Sequence, residues 1–363
     1  MTILLTGGRA PVTLEMARAF WRSGHRVLVA ESTAWPLSRF SRAVSGHFRV
    51  PSPRQHTRGF LDRLKALMER EGVDLLIPTC EETLYVAHLA GERVFCGPQR
   101  RLVELHSKWR FAELARRLSL PVPSTERVTE VREAARAGAG RVLKPEFSRF
   151  ATRTLIRPSP ERVLRQDIRP DRPWVAQDYL PGRTLCTSSV AHAGRLTAHA
   201  AYAAEFTAGQ GATVAFSSLD HPATLDWVRR FVDAVSFTGL IGFDFIETAP
   251  GRVAAVECNP RATSGLHLLP PRALCRAMTE PGELVTPPPG AAAALSLPLI
   301  YRGLRRGGRW LQTLLRSRDV LLDPADPLPA LCQGLPVLEL AWRAMRARVS
   351  LLEAATLDIE WNG

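Results

Sequence analysis

The sequence predicts an α/β protein: a doubly wound, parallel-stranded N-terminal unit, then smaller mixed units and a helical C-terminal region. Three observations carry this reading. Strand and helix patterns alternate from Ile3 to Pro98, a glycine turn at Gly7-Gly8 joins the first strand to the first helix, and the stretch 183–280 is dominated by strands with one helix. Regular alternation implies parallel strands joined by helices that cover both faces of the sheet.

In chain order, ILLTGG reads as a buried strand entering the glycine turn. APVTLEMARAFWRSGH follows as a helix with Leu14, Ala17, Ala19 and Phe20 as its apolar positions, and RVLVAE as the second strand. The helices GFLDRLKALMEREG and EETLYVAHLAG flank the strand VDLLIPT, and RVFCGP is a further short strand, which completes a unit spanning 1–105. The helix LHSKWRFAELARRLSLPVP, ended by Pro121 and Pro123, opens a second unit (106–182) that continues through RVLKPEFSRF, TRTLIR and WVAQDYLPG. A third unit (183–280) contains the helix TLDWVRRFVDAV and the strands GLIGFDFIET and GRVAAVECNPR, paired as a hairpin about Ala249-Pro250-Gly251. Beyond the proline-rich run EPGELVTPPPGAAAA, residues 281–363 read as a linker, a basic helix through YRGLRRGGRWLQTLLRSR and an amphipathic helix around LPVLELAWRAMRARVSLLEAA. The apolar stripe of that last helix (Leu338, Leu340, Ala341, Met345, Val349, Leu352) is too broad to stay exposed and predicts docking on the body or on a second subunit.

A composition of 45% hydrophobic and 23% charged residues fits an ordinary globular protein. The start MTILLTGGRA lacks the basic region of a signal peptide, and the longest apolar run, GAAAALSLPLIY, is broken by Pro298 and too short to span a bilayer, so a cytoplasmic protein without membrane partners is expected. Six cysteines without a CxxC pair read as thiols in a reducing compartment. The formal charge of +13 invites nucleic acid, but the arginines are spread throughout and no aromatic-rich RNA motif is present, which disfavours it. Of 48 basic residues only Lys65, Lys108 and Lys144 are lysine. An ammonium is a compact point charge that arginine's planar fork does not always replace, so each lysine invites a question. Lys65 sits on a helix face with Arg63, Glu69 and Arg70 and reads as solvated.

Two patterns suggest chemistry. TGGRAPVTLEMARAF, with Glu31 ending the second strand, approaches a dinucleotide fingerprint but lacks its third glycine, so a tight strand-to-helix turn is the better reading. In VECNPRATSG the residues Glu257, Asn259 and Arg261 alternate with Cys258 and Pro260 and share one strand face, while Asp244 lies in GFDF on the neighbouring strand. Carboxylate and amide oxygens suit a hard cation such as Mg²⁺, and the Arg261 fork suits a phosphoryl group or a carboxylate. Upstream, Lys108 starts a helix and Lys144 ends a strand before a proline.

This ordered set resembles that of the ATP-grasp enzymes, the superfamily of carboxylate–amine and carboxylate–thiol ligases. The resemblance rests on the E-x-N-P-R signature, an aspartate 13 residues before its glutamate and the two upstream lysines, and covers about residues 1–280. It implies an ATP-grasp fold with a Rossmann-like N-terminal domain, a small lid subdomain (106–182), a metal and nucleotide subdomain (183–280), and the use of ATP and Mg²⁺. Lys108 and Lys144 match the lysines on the ATP phosphates, Asp244, Glu257 and Asn259 the magnesium ligands, and Arg261 the arginine that, with Lys144, steadies the reacting phosphoryl group. VAQDYLPG resembles the hinge that holds adenine, with Gln177 and the backbone near Tyr179 as its contacts. The activity implied is activation of a small-molecule carboxylate as an acyl phosphate and its capture by an amine, with ADP and phosphate released. A phosphotransferase on the same scaffold and a basic RNA-binding protein are the alternatives, and a homodimer stays open.

Two stretches depart from the family pattern. EFSRFATRT has no glycine where relatives carry a glycine-rich loop, so Ser148, Arg149, Arg153 and Thr154 either close on phosphates or form a structural turn. Arg183-Thr184 stands where many relatives have a ribose-binding glutamate. Elsewhere, Thr79-Cys80-Glu81-Glu82 reads as a ligand-facing strand end or a helix cap, Ala208-Gly209-Gln210-Gly211 as a glycine hairpin or a close approach to ligand, and His199 and Glu205 as proton acceptors or simple hydrogen-bond partners.

Overall fold

The computed structural model describes residues 1–149, 153–208 and 211–363. Strands β1 (Thr2–Thr6), β2 (Arg26–Glu31), β3 (Gly46–Arg49) and β4 (Leu75–Ile77) form a parallel sheet in the order β3-β2-β1-β4. Its alternating apolar residues serve two cores. Ile3, Leu5, Val27 and Val29 pack on Met16 and Phe20 of helix Pro11–Arg22, and Leu4, Leu28 and Leu76 pack on Phe60 and Leu64 of helix Thr57–Arg70. Gly7 makes the turn that follows β1, with φ +73.

The second unit is an antiparallel sheet of β5 (Thr125–Val128), β6 (Val142–Pro145), β7 (Leu155–Ile156) and β8 (Trp174–Gln177), in the order β5-β8-β6-β7. Leu143, Trp174 and Ala176 pack there against Ala134 and Val163 of two short helices. The third contains β9 (Arg183–His192), β10 (Arg195–Ala208), β11 (Ala212–Leu219), β12 (Gly239–Ala249) and β13 (Arg252–Asn259). From beyond the proline-rich run, β14 (Ala292–Ala294) and β15 (Arg318–Asp319) complete a seven-stranded sheet, β13-β12-β9-β10-β11-β14-β15. Behind β12, Phe243 and Phe245 join Phe111 of helix Lys108–Arg117 and Trp227 and Phe231 of helix Pro222–Ala234 in one aromatic cluster.

Several expectations are corrected. RVFCGP forms no strand and contributes only isolated bridges from Val94 to Leu76 and Gly91, because the chain turns at once into helix Gln99–His106, which follows Pro98. The basic helix is two helices, Ser296–Arg306 and Trp310–Arg316, divided where Gly307 and Gly308 take φ +64 and +88. The last stripe is only partly covered by this chain: Leu340, Ala341, Val349 and Leu352 are half-buried, while Leu338 and Met345 are 67% and 71% exposed. Helix Gly334–Ala347 ends at a left-handed Arg348 (φ 56), which splits the stripe, and only Ala344 of that helix is fully buried.

Candidate functional site

The site is built on the β12–β13 hairpin. Asp244 stands opposite Glu257 and Gly242 opposite Asn259, but Phe245 already faces Ala255, so Val256 is an extra residue and β13 bulges there. Two side chains of the second unit reach the Val256 carbonyl: Lys144 Nζ donates to it at 3.2 Å and Gln177 Nε2 at 3.4 Å. The bulge therefore joins the four-stranded sheet of the second unit to the strand that carries Glu257. Gln177 also donates to Thr125 Oγ1 at 3.0 Å, so its side chain is held within the protein, while Tyr179, just past β8, is exposed with Arg157 over its ring at 4.9 Å.

Lys108 begins its helix because Ser107 caps it, accepting from the Arg110 amide at 3.1 Å. Although only 2% exposed, its ammonium lies 3.6 Å from Glu257 Oε2 and donates to the Ser148 carbonyl at 3.2 Å. Asn259 Nδ2 donates to Asp244 Oδ2 at 3.4 Å, and Arg261 Nη2 donates to Asn259 Oδ1 at 3.0 Å. Ala262 N donates to the Thr79 carbonyl at 3.1 Å, which places Arg261 where the N-terminal sheet edge meets the hairpin. Lys108, Lys144, Asp244, Glu257, Asn259 and Arg261 are thus gathered from three separate stretches of chain.

Their electrostatics are unfavourable as they stand. Burial and the facing Glu257 carboxylate push the Asp244 carboxyl above its usual range. Burial also lowers the Lys144 ammonium to about 8, against the opposing pull of Glu257. A divalent cation between the two carboxylates removes their repulsion, and their oxygens with Asn259 Oδ1 are the donors that hard cations take. Among the described residues no three or more His, Cys, Asp or Glu side chains converge, so a cation held here would need further oxygen donors from ligand or water.

The loop after Lys144 divides. Arg149 pairs with Glu81 of the N-terminal unit, and Phe150, Ala151 and Thr152 lie outside the described residues, as do Gly209 and Gln210 of the hairpin loop. Glu31 is occupied: Arg9 Nη2 lies 2.5 Å from it and Arg9 Nη1 2.7 Å from Asp358. Glu82 accepts from the amides of Thr79 and Cys80 at 3.1 and 3.0 Å, a strand-end cap. His199 is buried against Ser189 Oγ at 2.9 Å with its pKa pushed down to about 3, and Glu205 is paired with Arg316, so both have structural partners.

Sequence reasoning missed three contributors. Cys186 stands opposite Asp244 across β9 and β12. Glu146, 2% exposed, ties Ser107 and Arg127 together beneath Lys108; its place two residues after Lys144 was the only available signal. The third is the segment 351–361, whose Asp358 and Glu360 pair with Arg9 and Arg54 and whose Trp361 packs on Tyr85 at 5.3 Å.

No protein-family model matches the sequence, and a search of curated proteins gave no match. Solved structures do match in fold. N5-carboxyaminoimidazole synthetase from Staphylococcus aureus, complexed with ADP, aligns at TM-score 0.66 over 84% of this chain and 85% of that one, with 14% identity. Phosphoribosylamine–glycine ligase from Thermotoga maritima aligns at 0.62 over 81% and 80% (14% identity), and L-amino acid ligase from Bacillus licheniformis at 0.60 over 78% and 75% (13% identity). The chain has the ATP-grasp fold that its motifs predict.

Proposed function

We propose that the protein is an ATP-dependent ligase that activates a small-molecule carboxylate for capture by an amine. The observation that carries this reading is the convergence of Lys108, Lys144, Asp244, Glu257, Asn259 and Arg261 on one hairpin face. Asp244, Glu257 and Asn259 hold Mg²⁺, which supplies charge neutralisation at the phosphate oxygens. Lys108 and Lys144 place positive charge on the phosphates, and Gln177 with the backbone near Tyr179 lies on the adenine side. Arg261 orients the substrate carboxylate and stabilises charge on the transferring phosphoryl group. A carboxylate oxygen forms a bond to the γ-phosphorus as the bond to ADP breaks; the amine then attacks the acyl carbon, phosphate leaves, and the nitrogen gives up a proton. The substrate carboxylate and the amine are themselves the nucleophiles, so positioning and electrostatics carry the reaction.

Support from outside the chain comes from fold: two N5-carboxyaminoimidazole synthetase neighbours are complexes with ADP, and a biotin carboxylase domain among the neighbours holds magnesium ADP. No helix among the described residues is long and apolar enough to cross a membrane. The test is calorimetry of ATP with and without Mg²⁺, followed by an ADP-release screen over acids and amines with mass spectrometry of the products. Magnesium-dependent binding and a condensed product are expected. A stable phosphorylated product moves the assignment to phosphotransferase, and no nucleotide binding at millimolar concentration removes it.

A further inference from the structure

Beside Arg261 a cavity of about 310 Å³ lies between the N-terminal unit, the seven-stranded sheet and the C-terminal segment. Its volume is at the small end of the roughly 300–1,000 Å³ typical of small-molecule sites. Val12, Phe216, Val320 and Ile359 supply much of its wall, from four separate stretches of chain, and each is at least nine-tenths buried.

Three arginines also line it, and their pairing decides what charge the cavity accepts. Arg9 is shared between Glu31 and Asp358, at 2.5 and 2.7 Å, and Arg149 is paired with Glu81. Arg261 bonds only to neutral oxygens, Asn259 Oδ1 at 3.0 Å and the Ala262 carbonyl at 3.1 Å, and makes no ion pair among the described residues. One cation is therefore available, at the end of the cavity next to the metal-side residues. A second negative charge on the ligand would be buried without a partner. Hydrocarbon against the apolar wall gains about fourfold in affinity per buried methylene.

Resting on the ligase reading above, we infer that the acid activated here is a small monocarboxylic acid with an apolar body. Its carboxylate sits on Arg261 and its hydrocarbon lies among Val12, Phe216, Val320 and Ile359. Phosphorylated and dicarboxylic acids are excluded by charge.

The test is calorimetry on the full chain with octanoate and 3-phenylpropionate against succinate and ribose 5-phosphate, with Mg·ATP titrated separately. At least tenfold preference for the two apolar acids is expected. Val12→Asp, which puts a carboxylate into the apolar wall at a helix start where the dipole offsets part of its cost, should weaken them at least tenfold, with thermal unfolding followed to separate lost binding from lost fold. Val320→Thr, which keeps the shape and adds a hydroxyl, should weaken them several-fold. Equal or tighter binding of succinate or ribose 5-phosphate overturns the inference, as does undetectable binding of both apolar acids or unchanged affinity in both variants. Apolar acids that bind and respond to Val12→Asp while Mg·ATP fails to bind would sink the ligase reading and leave the cavity assignment standing; Mg·ATP binding without the acids does the reverse.

Discussion

The β12–β13 hairpin and the C-terminal layer beyond Ser296 are both amphipathic in sequence, yet they attach to the protein in different proportions of apolar packing and charge. Behind the hairpin, Phe111, Trp227, Phe231, Phe243 and Phe245 interlock with ring centroids 5.1 to 6.2 Å apart. The C-terminal layer instead leaves Leu304, Leu315, Leu331 and Leu338 in solvent, buries a smaller apolar set (Leu299 with Val214, and Val320 and Leu321 with Leu14 and Leu37), and adds many charged contacts. Arg18 pairs with Asp326 at 2.8 Å, Arg22 with Asp323, Arg9 with Asp358 and Arg54 with Glu360, and Glu339 accepts the amides of Ala34 and Trp35 at 2.9 and 2.8 Å. A close-packed aromatic backing fixes the strand that carries the carboxylates, where small displacements matter most. A smaller apolar contact supplemented by directional polar contacts holds the layer that closes the far wall of the cavity.

The sharpest way to probe the hairpin side is Glu257→Gln. It keeps the side-chain shape and removes one of two facing carboxylates, so turnover should fall on the order of 10³-fold or more, measured as ADP release, with thermal unfolding unchanged. A variant within tenfold of wild type would place the metal elsewhere. Phe243→Ala strikes the same strand from behind. Emptying a fully buried aromatic site in this cluster should cost about 3–5 kcal/mol in urea unfolding, and a loss under about 1 kcal/mol would show that the cluster is not what holds the hairpin.

Lys144 tests the hairpin at finer scale. Its folded pKa of about 8 lies below the ordinary 10.5, so the unfolded chain binds more protons between those values. The burial penalty is therefore full below about pH 8 and fades as pH rises toward 10.5. Phosphate binding runs the other way, because it needs the ammonium. Mg·ATP affinity should fall above pH 8 by up to about tenfold per pH unit, and Lys144→Gln should bind weakly but without that slope. A pH-independent affinity in the wild type between pH 7 and 9.5 contradicts the role given to this lysine.

How much was legible beforehand follows the same division. Asp244, Glu257, Asn259 and Arg261 were readable because strand alternation and one hairpin register bring them together within a short span. Lys108 and Lys144 stood out because lysine is rare here, although no local rule revealed that both would bend toward β13. The bulge at Val256 carries no glycine or proline to announce it. Arg9 meeting Asp358 spans nearly the whole chain, and no periodicity encodes a contact at that separation. The breadth of the apolar stripe reports a preference for burial, whereas the C-terminal layer half-buries part of that stripe and attaches through other apolar residues, such as Leu299 and Val320, together with ion pairs.

The smallest effect is expected from the exposed side of the comparison. Leu338 is 67% exposed, so Leu338→Glu removes little contact within this chain and, at low protein concentration, should change unfolding stability by less than about 0.5 kcal/mol. Concentration makes the measurement informative. If a second copy covers the stripe, wild-type stability rises with protein concentration by mass action, and Leu338→Glu abolishes that rise while leaving the dilute value unchanged. If stability is independent of concentration in both proteins, the layer stands alone in solution. A dilute-limit loss above about 1 kcal/mol would mean that Leu338 too is buried within the chain, and that the contrast between the densely packed hairpin and the loosely covered layer is drawn in the wrong place.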